Sequence, residues 1–388
     1  MLRLELLPAG CGDCLWLEYG EPGETHIVLI DGGVKNTATR LATRIQEAMQ
    51  ERGVSSLHLD LLVVTHIDND HIDGILKLLE EGQLPLTFDD IWFNGNQQLK
   101  DLPTPTAQEG RPDKLGGSGA DLLRPDLLGL KEGDRLSRLL ADPNRHLPWN
   151  KLFGGKAVFA PDEGALPPKT LLGGLKVTLL GPPLPRLRVL ANKWQEVLGE
   201  FERAEQFGTT LERPDLLGRK DTWPPTWQAG QTLDDSTANG SSISLLVEYG
   251  GKELVLAGDA FAPDMEAALA RVQAERGQAG PLPLAGLKLP HHGSFKNFTE
   301  GMLARITCRR YLISTDGSSA PRHPDHQTLL RILKYSAARP LLSFNYKEKT
   351  TQDWQDRKQD VIKAGSWVQD YDTKYPDQKG SSLQVELG

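Results

Sequence analysis

The chain has 388 residues, room for two or three domains at roughly 150 residues each. Its 38% hydrophobic and 25% charged residues, with 39 Gly and 26 Pro, exclude fibrous and disordered classes, and no run nears the roughly 18 apolar residues of a bilayer span. A net charge of −8 excludes a surface coated for nonspecific duplex binding. From the N-terminus, Leu2 to Leu7 alternates apolar and charged residues, which predicts a strand rather than a signal peptide, so a cytoplasmic protein is expected. Leu15 to Tyr19, Ile27 to Ile30 and Leu59 to Val64 follow as strands. Between the last two, Leu41, Ile45 and Ala48 recur at helical spacing and Gly53 closes a helix over Thr39 to Arg52. This β-β-β-α-β order predicts a layered α/β fold.

Residues 95 to 172 read differently. Pro103, Pro105, Gly116-Gly117-Ser118-Gly119, Pro143, Pro148, Gly154-Gly155 and Pro167-Pro168 interrupt every element, so the segment reads as a loop-rich insertion within a single domain spanning 1–388. A second irregular stretch runs from 208 to 240, and Arg-Pro-Asp-Leu-Leu-Gly occurs at both 124–129 and 213–218, too far apart for a solenoid. Strands return at Val177–Leu180, Ser242–Tyr249, Glu253–Ala257, Leu287–Leu289 and Tyr311–Ser314. Helices are expected at Leu184–Phe201, Asp264–Glu275, Thr299–Ile306 and Asp325–Tyr335, so the second half repeats the alternation of the first.

Three cysteines cannot build a disulfide framework, and Cys11-x-x-Cys14 is followed by a strand rather than the helix of a redox motif, so both read as ordinary thiols. The sharpest signal is Thr65-His66-Ile67-Asp68-Asn69-Asp70-His71-Ile72-Asp73-Gly74, directly after an apolar strand. A strand ending in a tight turn splays alternate side chains toward two nearby points, and mixed imidazole and carboxylate suit divalent ions. A helix cap at Asp70 would need one acid and no histidine. Two more strand ends carry ligand types, Ala257-Gly258-Asp259 and Leu289-Pro290-His291-His292-Gly293-Ser294, and a further one supplies Asp31, placed to orient ligands.

These residues resemble the metallo-β-lactamase-fold hydrolase superfamily. Asp at the third position of His66-x-Asp68-x-Asp70-His71, Asn239-Gly240-Ser241-Ser242, Gly258-Asp259, Pro290-His291-His292-Gly293-Ser294 and His323-Pro324 look most like the hydrolase domain of the ComEC competence protein and its free-standing relatives. The resemblance covers roughly residues 1 to 346 and implies a four-layer αββα sandwich with loop-rich insertions and a dinuclear site between the sheets. Carried over by position, His66 and Asp68 hold one ion, Asp70 and His71 the other, Asp259 bridges, and His291 or His292 completes the second. No histidine lies between His146 and His291, so the first ion's third ligand is open, with an oxygen group near Asn239, Ser241 and Ser242 one solution. The oxygen-rich set favours manganese over zinc without excluding zinc.

His323 and His326 follow the Tyr311–Ser314 strand, and His323 is the candidate for gripping substrate or protonating a leaving group. Ser294 and Lys296 are candidate contacts to an anion. From Lys288 to Lys358 there are thirteen Lys and Arg against six acids, a local +7. The expected activity is hydrolysis by a dinuclear centre of zinc or manganese with Asp70 and His292 at the reacting end, on a phosphodiester such as single-stranded nucleic acid or a nucleotide, since no duplex-reading helix is evident. The alternatives are a hydrolase of carboxylic esters, thioesters or lactams, and a binding or regulatory protein with a vestigial site. No membrane partner is expected, and the insertion is a candidate surface for a protein partner.

Overall fold

The computed structural model describes residues 1–103, 129–206, 223–318 and 322–387. In chain order the first half comprises β1 (Leu2–Leu6), β2 (Leu15–Glu21), β3 (Glu24–Ile30), α1 (Ala38–Arg52), β4 (Leu57–Val63), α2 (Asn69–Glu81), β5 (Leu86–Trp92), α3 (Asn96–Lys100) and α4 (Leu130–Ala141). Then come β6 (Lys169–Thr170), β7 (Lys176–Gly181), α5 (Leu184–Gln206), α6 (Thr237–Gly240), β8 (Ser244–Tyr249), β9 (Lys252–Leu256), α7 (Ala262–Glu275), β10 (Leu282–Leu284), β11 (Gly286–Lys288), α8 (Glu300–Arg305), β12 (Ile306–Cys308) and β13 (Arg310–Ile313). The chain ends with α9 (His326–Tyr335), β14 (Leu341–Phe344), α10 (Lys349–Asp356), α11 (Lys358–Ala364), β15 (Asp372–Lys374) and β16 (Leu383–Glu386).

The strands form a six-stranded sheet, β16-β1-β2-β3-β4-β5, and an eight-stranded sheet, β15-β14-β13-β11-β9-β8-β7-β6, with β10 and β12 as a separate pair. Period-2 alternation sorts the side chains of the first sheet between two cores. Leu15, Leu17, Tyr19, Val28, Ile30, Leu61 and Val63 join Leu245, Val247 and Leu256 of the other sheet, while Trp16, Ile27, Leu29, Leu59 and Leu62 join Leu41 and Ile45 of α1 and Ile72 and Ile75 of α2. On the far side, Met265, Leu269 and Val272 of α7 and Leu329 and Leu333 of α9 cover the second sheet. The result is the expected four-layer αββα sandwich.

The predicted strands and helices appear with ends shifted by a few residues, and three differences stand out. β5, Leu86–Trp92, went unread because Asp89 and Asp90 interrupt it, yet Asp90 is buried and accepts from the backbone N–H of Ile91, Lys151 and Leu152 and from the Trp92 indole. Within the segment read as broken throughout, Leu130–Ala141 is an amphipathic helix that buries Leu130, Leu136 and Leu140. Its Gly133 lets it pack against Ile67 and Trp194, where a Cβ would approach both to 2.8 Å. Past residue 346 the chain still completes the fold, since β15 extends the larger sheet and β16 pairs antiparallel with β1. Most of the insertion's centre and both copies of the repeated hexapeptide, apart from Gly129, lie outside the described residues. Among the described residues no helix is long and apolar enough to cross a membrane. Neither Cys11 nor Cys14 is bonded, and burial pushes the Cys11 thiol up to about 12.

Candidate metal centre

The ends of β3, β4, β9, β11 and β13 meet along one edge of the sandwich, where strands run out and functional groups collect. After β4 the chain turns through Thr65 and His66, and Asp68 takes the N-cap position of α2 in extended conformation without making a cap bond. Its carboxylate instead lies 3.5 Å from His66 Nε2. Asp70 sits in the first turn of α2. After β11, His291 and His292 both adopt left-handed backbone, φ 46° and 55°, which costs of order 1–3 kcal/mol per residue and concentrates at functional sites. That turn splays consecutive imidazoles apart, with rings inclined at 72°. His291 N–H donates to Gly258 O, 3.0 Å, tying this turn to the one that carries Asp259.

Asp259 is the hub, 2% exposed. Its carboxylate oxygens lie 3.4 Å from His71 Nε2, 3.7 Å from His292 Nε2, and 3.8 Å from both His66 Nε2 and His291 Nε2. Two groups share it. His66 and Asp68 form one, and the other is Asp70, His71 and His292, with Asp70 Oδ2 3.3 Å from His292 Nε2 and the His71 and His292 Nε2 atoms 3.2 Å apart. His292 therefore faces the second group, whereas His291 faces Asp259 alone and is available to the first, where the sequence left a ligand open.

The donor set fits divalent ions. Tetrahedral ligands at roughly 2.0–2.1 Å from an ion stand about 3.3 Å apart, close to the 3.2 and 3.3 Å separations in the second group. His66 Nε2 and Asp259 Oδ1 are buried and have no hydrogen-bond partner, a costly state for polar atoms unless something else satisfies them.

Each imidazole is held from behind, the arrangement that fixes the tautomer of a metal-binding histidine. Asp31, itself left-handed at φ 59°, accepts from Thr65 N–H and Oγ1 at 2.7 Å and bonds His71 Nδ1 at 2.8 Å. His66 Nδ1 contacts the Thr65 and Ser242 hydroxyls at 3.0 and 3.1 Å, and Ser242 Oγ also accepts from Asp259 N–H. His292 Nδ1 bonds Ser314 O at 2.9 Å. His291 Nδ1 lies 3.0 Å from Asn297 Oδ1, 3.2 Å from Asn239 Nδ2 and 3.4 Å from Asp234 Oδ2. Asp234 in turn accepts from Asn239 and Asn297.

Charge follows from this geometry. Burial works against charge on every group here; it prevails at Asp68, whose carboxyl is pushed up, while at most of the others the neighbours prevail. The His292 and His71 imidazoles hold Asp70 below the usual carboxylate range. The same happens to Asp259 through His71, His292 and His291. Asp259 and Asp234 push His291 up to about 9, and Asp259 also raises His71 and His292. His323 goes the other way. Burial, then the nearby His291 and His292, hold it well below the ordinary histidine value. Its ring centroid is 5.0 Å from that of His291, and both its nitrogens are buried without a hydrogen-bond partner.

The remaining expected residues fall into place unevenly. Asn239 reaches His291, and of the two serines Ser241 bonds Ala238 O while Ser242 touches His66. Ser294 Oγ accepts from Lys296 N–H, and Lys296 is exposed. His326 packs edge-on between Trp223 and Trp354. Asp325 occupies the N-cap position of α9, yet its carboxylate accepts from Phe295 N–H rather than from the helix. Residues not singled out in the sequence are Asp13, Asp234, Lys288 and Asn297. A Gly-Asp turn, Gly12-Asp13, was the available signal for the first. Asp234, in an irregular stretch, offered none.

Residues 10–87 match the sequence model described as the metallo-beta-lactamase superfamily, a stretch that contains Asp13, Asp31, His66, Asp68, Asp70 and His71. No protein of curated function matches the chain. A solved structure of a mutant of the CmlA beta-hydroxylase is similar across 99% of this chain and 54% of its own, at 12% identity and a TM-score of 0.34. The chain thus spans about half the length of that protein, and a likeness so loose carries no argument. Residues 10–87 are thus similar in sequence to that superfamily, and they lie in an αββα sandwich of its type.

Proposed function

We propose that the protein is a metal-dependent hydrolase that binds two divalent ions, manganese favoured over zinc, and cleaves phosphodiester bonds in single-stranded nucleic acid or a nucleotide. The observation that carries the reading is the hub itself, four imidazole Nε2 atoms within 3.4–3.8 Å of one buried carboxylate, with two ligand atoms left unpaired. When bound, the ions would supply water activation and stabilise charge on the substrate's oxygens. His66, Asp68, Asp259 and His291 would hold one, and Asp70, His71, His292 and Asp259 the other.

The chain's own contribution is positioning and proton handling. Asp31, Asp234, Ser242 and the Ser314 carbonyl fix the imidazole orientations so that each Nε2 faces the centre. His323 is uncharged at neutral pH and offers one N–H and one lone pair beside His291, the requirements for gripping a substrate oxygen and passing a proton to the leaving group.

Support for a phosphodiester comes from charge. The site's carboxylates Asp13, Asp31, Asp68, Asp70, Asp234 and Asp259 carry −6 in all, and Lys288 with two divalent ions returns +5. The centre is then near neutral, and the stretch that supplies its Lys288, His291, His292 and His323 carries a local +7, which suits a monoanionic diester. The test is hydrolysis of bis(p-nitrophenyl) phosphate and of labelled single strands with manganese, abolished in Asp70→Ala. Turnover of p-nitrophenyl acetate or a lactone with neither phosphodiester cleaved would replace the phosphodiester reading by the carboxyl-ester one.

A further inference from the structure

One buried ion pair enters the charge sum above but has no ligating or proton-handling role. Asp13, in the turn between β1 and β2, is 1% exposed, and Lys288, the last residue of β11, is fully buried with its Nζ on Asp13 Oδ2. The turn is packed hard against the centre, because a Cβ on Gly12 would lie 1.7 Å from Asp70 O and Asp13 N–H donates to that same carbonyl at 3.2 Å. A fixed cation so near a site for divalent ions opposes their binding unless something neutralises it. The other Asp13 oxygen, Oδ1, is buried without a hydrogen-bond partner and stands 3.4 Å from His292 Nδ1, on the side of the ring away from Asp70. Ligand-type atoms of Asp13, His71, Asp259 and His292 all lie within 4.8 Å of one another.

We infer that Asp13 is a positioning residue for the second ion, backing His292 with its charge, and that Lys288 holds that carboxylate away from direct ligation and sets how tightly the ion binds. The inference rests on the metal-centre reading above. It differs from a merely structural ion pair in sign. A structural pair, broken from either side, destabilises the fold and leaves the metal affinity of the folded protein unchanged. Here the two partners act on the metal in opposite directions, since losing Asp13 strips negative charge and leaves Lys288 facing the site, whereas losing Lys288 frees a carboxylate toward it.

The test titrates the full chain with Mn(II) alone, by calorimetry and by the EPR signal of free Mn(II), in wild type, Asp13→Asn, Lys288→Met and the double variant. Asp13→Asn is expected to weaken the second equivalent about 10–100-fold, and Lys288→Met to tighten it. If either single variant does not fold, the double variant, which removes both charges together, decides. It should fold and bind the second equivalent about tenfold more weakly than wild type, because His292 has lost its carboxylate. Single variants that shift affinity in the same direction, or a double variant with wild-type affinity, would overturn the inference while leaving the metal centre intact. Wild-type protein binding under half an equivalent would overturn the metal reading and this inference with it.

Discussion

Asp259→Asn should uncouple the whole centre while leaving the fold in place. The amide is isosteric, and Asp259 is fixed through its own N–H to Ser242 rather than through a side-chain cap. The four Nε2 atoms stand 3.4–3.8 Å from its oxygens, so an ion ligated among them would stand about 4 Å or less from the carboxylate. At about 4 Å and an effective dielectric of 20 a unit charge interacts by about 4 kcal/mol, and a divalent ion doubles this to about 8. Crediting half to the amide oxygen that remains leaves a loss of about 4 kcal/mol, roughly a thousandfold in affinity. Calorimetric titration with manganese, alongside thermal unfolding of the metal-free protein, measures both sides. Two equivalents bound within about tenfold of wild-type affinity would refute the reasoning, because Asp259 is the carboxylate that stands beside the Nε2 atoms of both groups.

Other expectations follow from the same geometry. His323→Asn should keep both metal equivalents and lower kcat by about 10²–10⁴-fold, read by steady-state kinetics with elemental analysis. Gly12→Ala should cost about 1–3 kcal/mol by overpacking, since its Cβ meets the Asp70 carbonyl, and denaturant melts measure it. In the metal-free protein His291 is raised from 6.5 to about 9. Its contribution to stability is therefore complete below pH 6.5 and is lost as pH climbs through about 9. Metal reverses the trend, because ligation needs the unprotonated ring and affinity rises as protons leave. Denaturation midpoints from pH 6 to 9.5, with and without manganese, should diverge, and parallel curves would contradict the assignment.

What the sequence disclosed is what strand ends disclose. His66, Asp68, Asp70, His71, Asp259, His291 and His292 each follow an apolar run directly, so topology alone delivers them to one edge. What it withheld has partners far away along the chain. Asp13 and Lys288 are 275 positions apart and Asp234 and Asn297 are 63 apart, so beyond the Gly12-Asp13 turn neither pairing leaves a local pattern. The choice between His291 and His292 was equally closed to sequence, since it depends on two left-handed residues that send adjacent rings to different sides. α4 was hidden by the glycines and prolines around it, although its own Gly133 serves packing rather than a turn. β16 was hidden by its position at the far end from β1, the strand it completes.

Anomalous diffraction from crystals grown with manganese tests the central claim most directly. The account predicts two peaks flanking Asp259, one among His66, Asp68 and His291, the other among Asp70, His71 and His292, each about 2 Å from its ligand atoms. Crystals in which no peak falls within reach of Asp259 would contradict it.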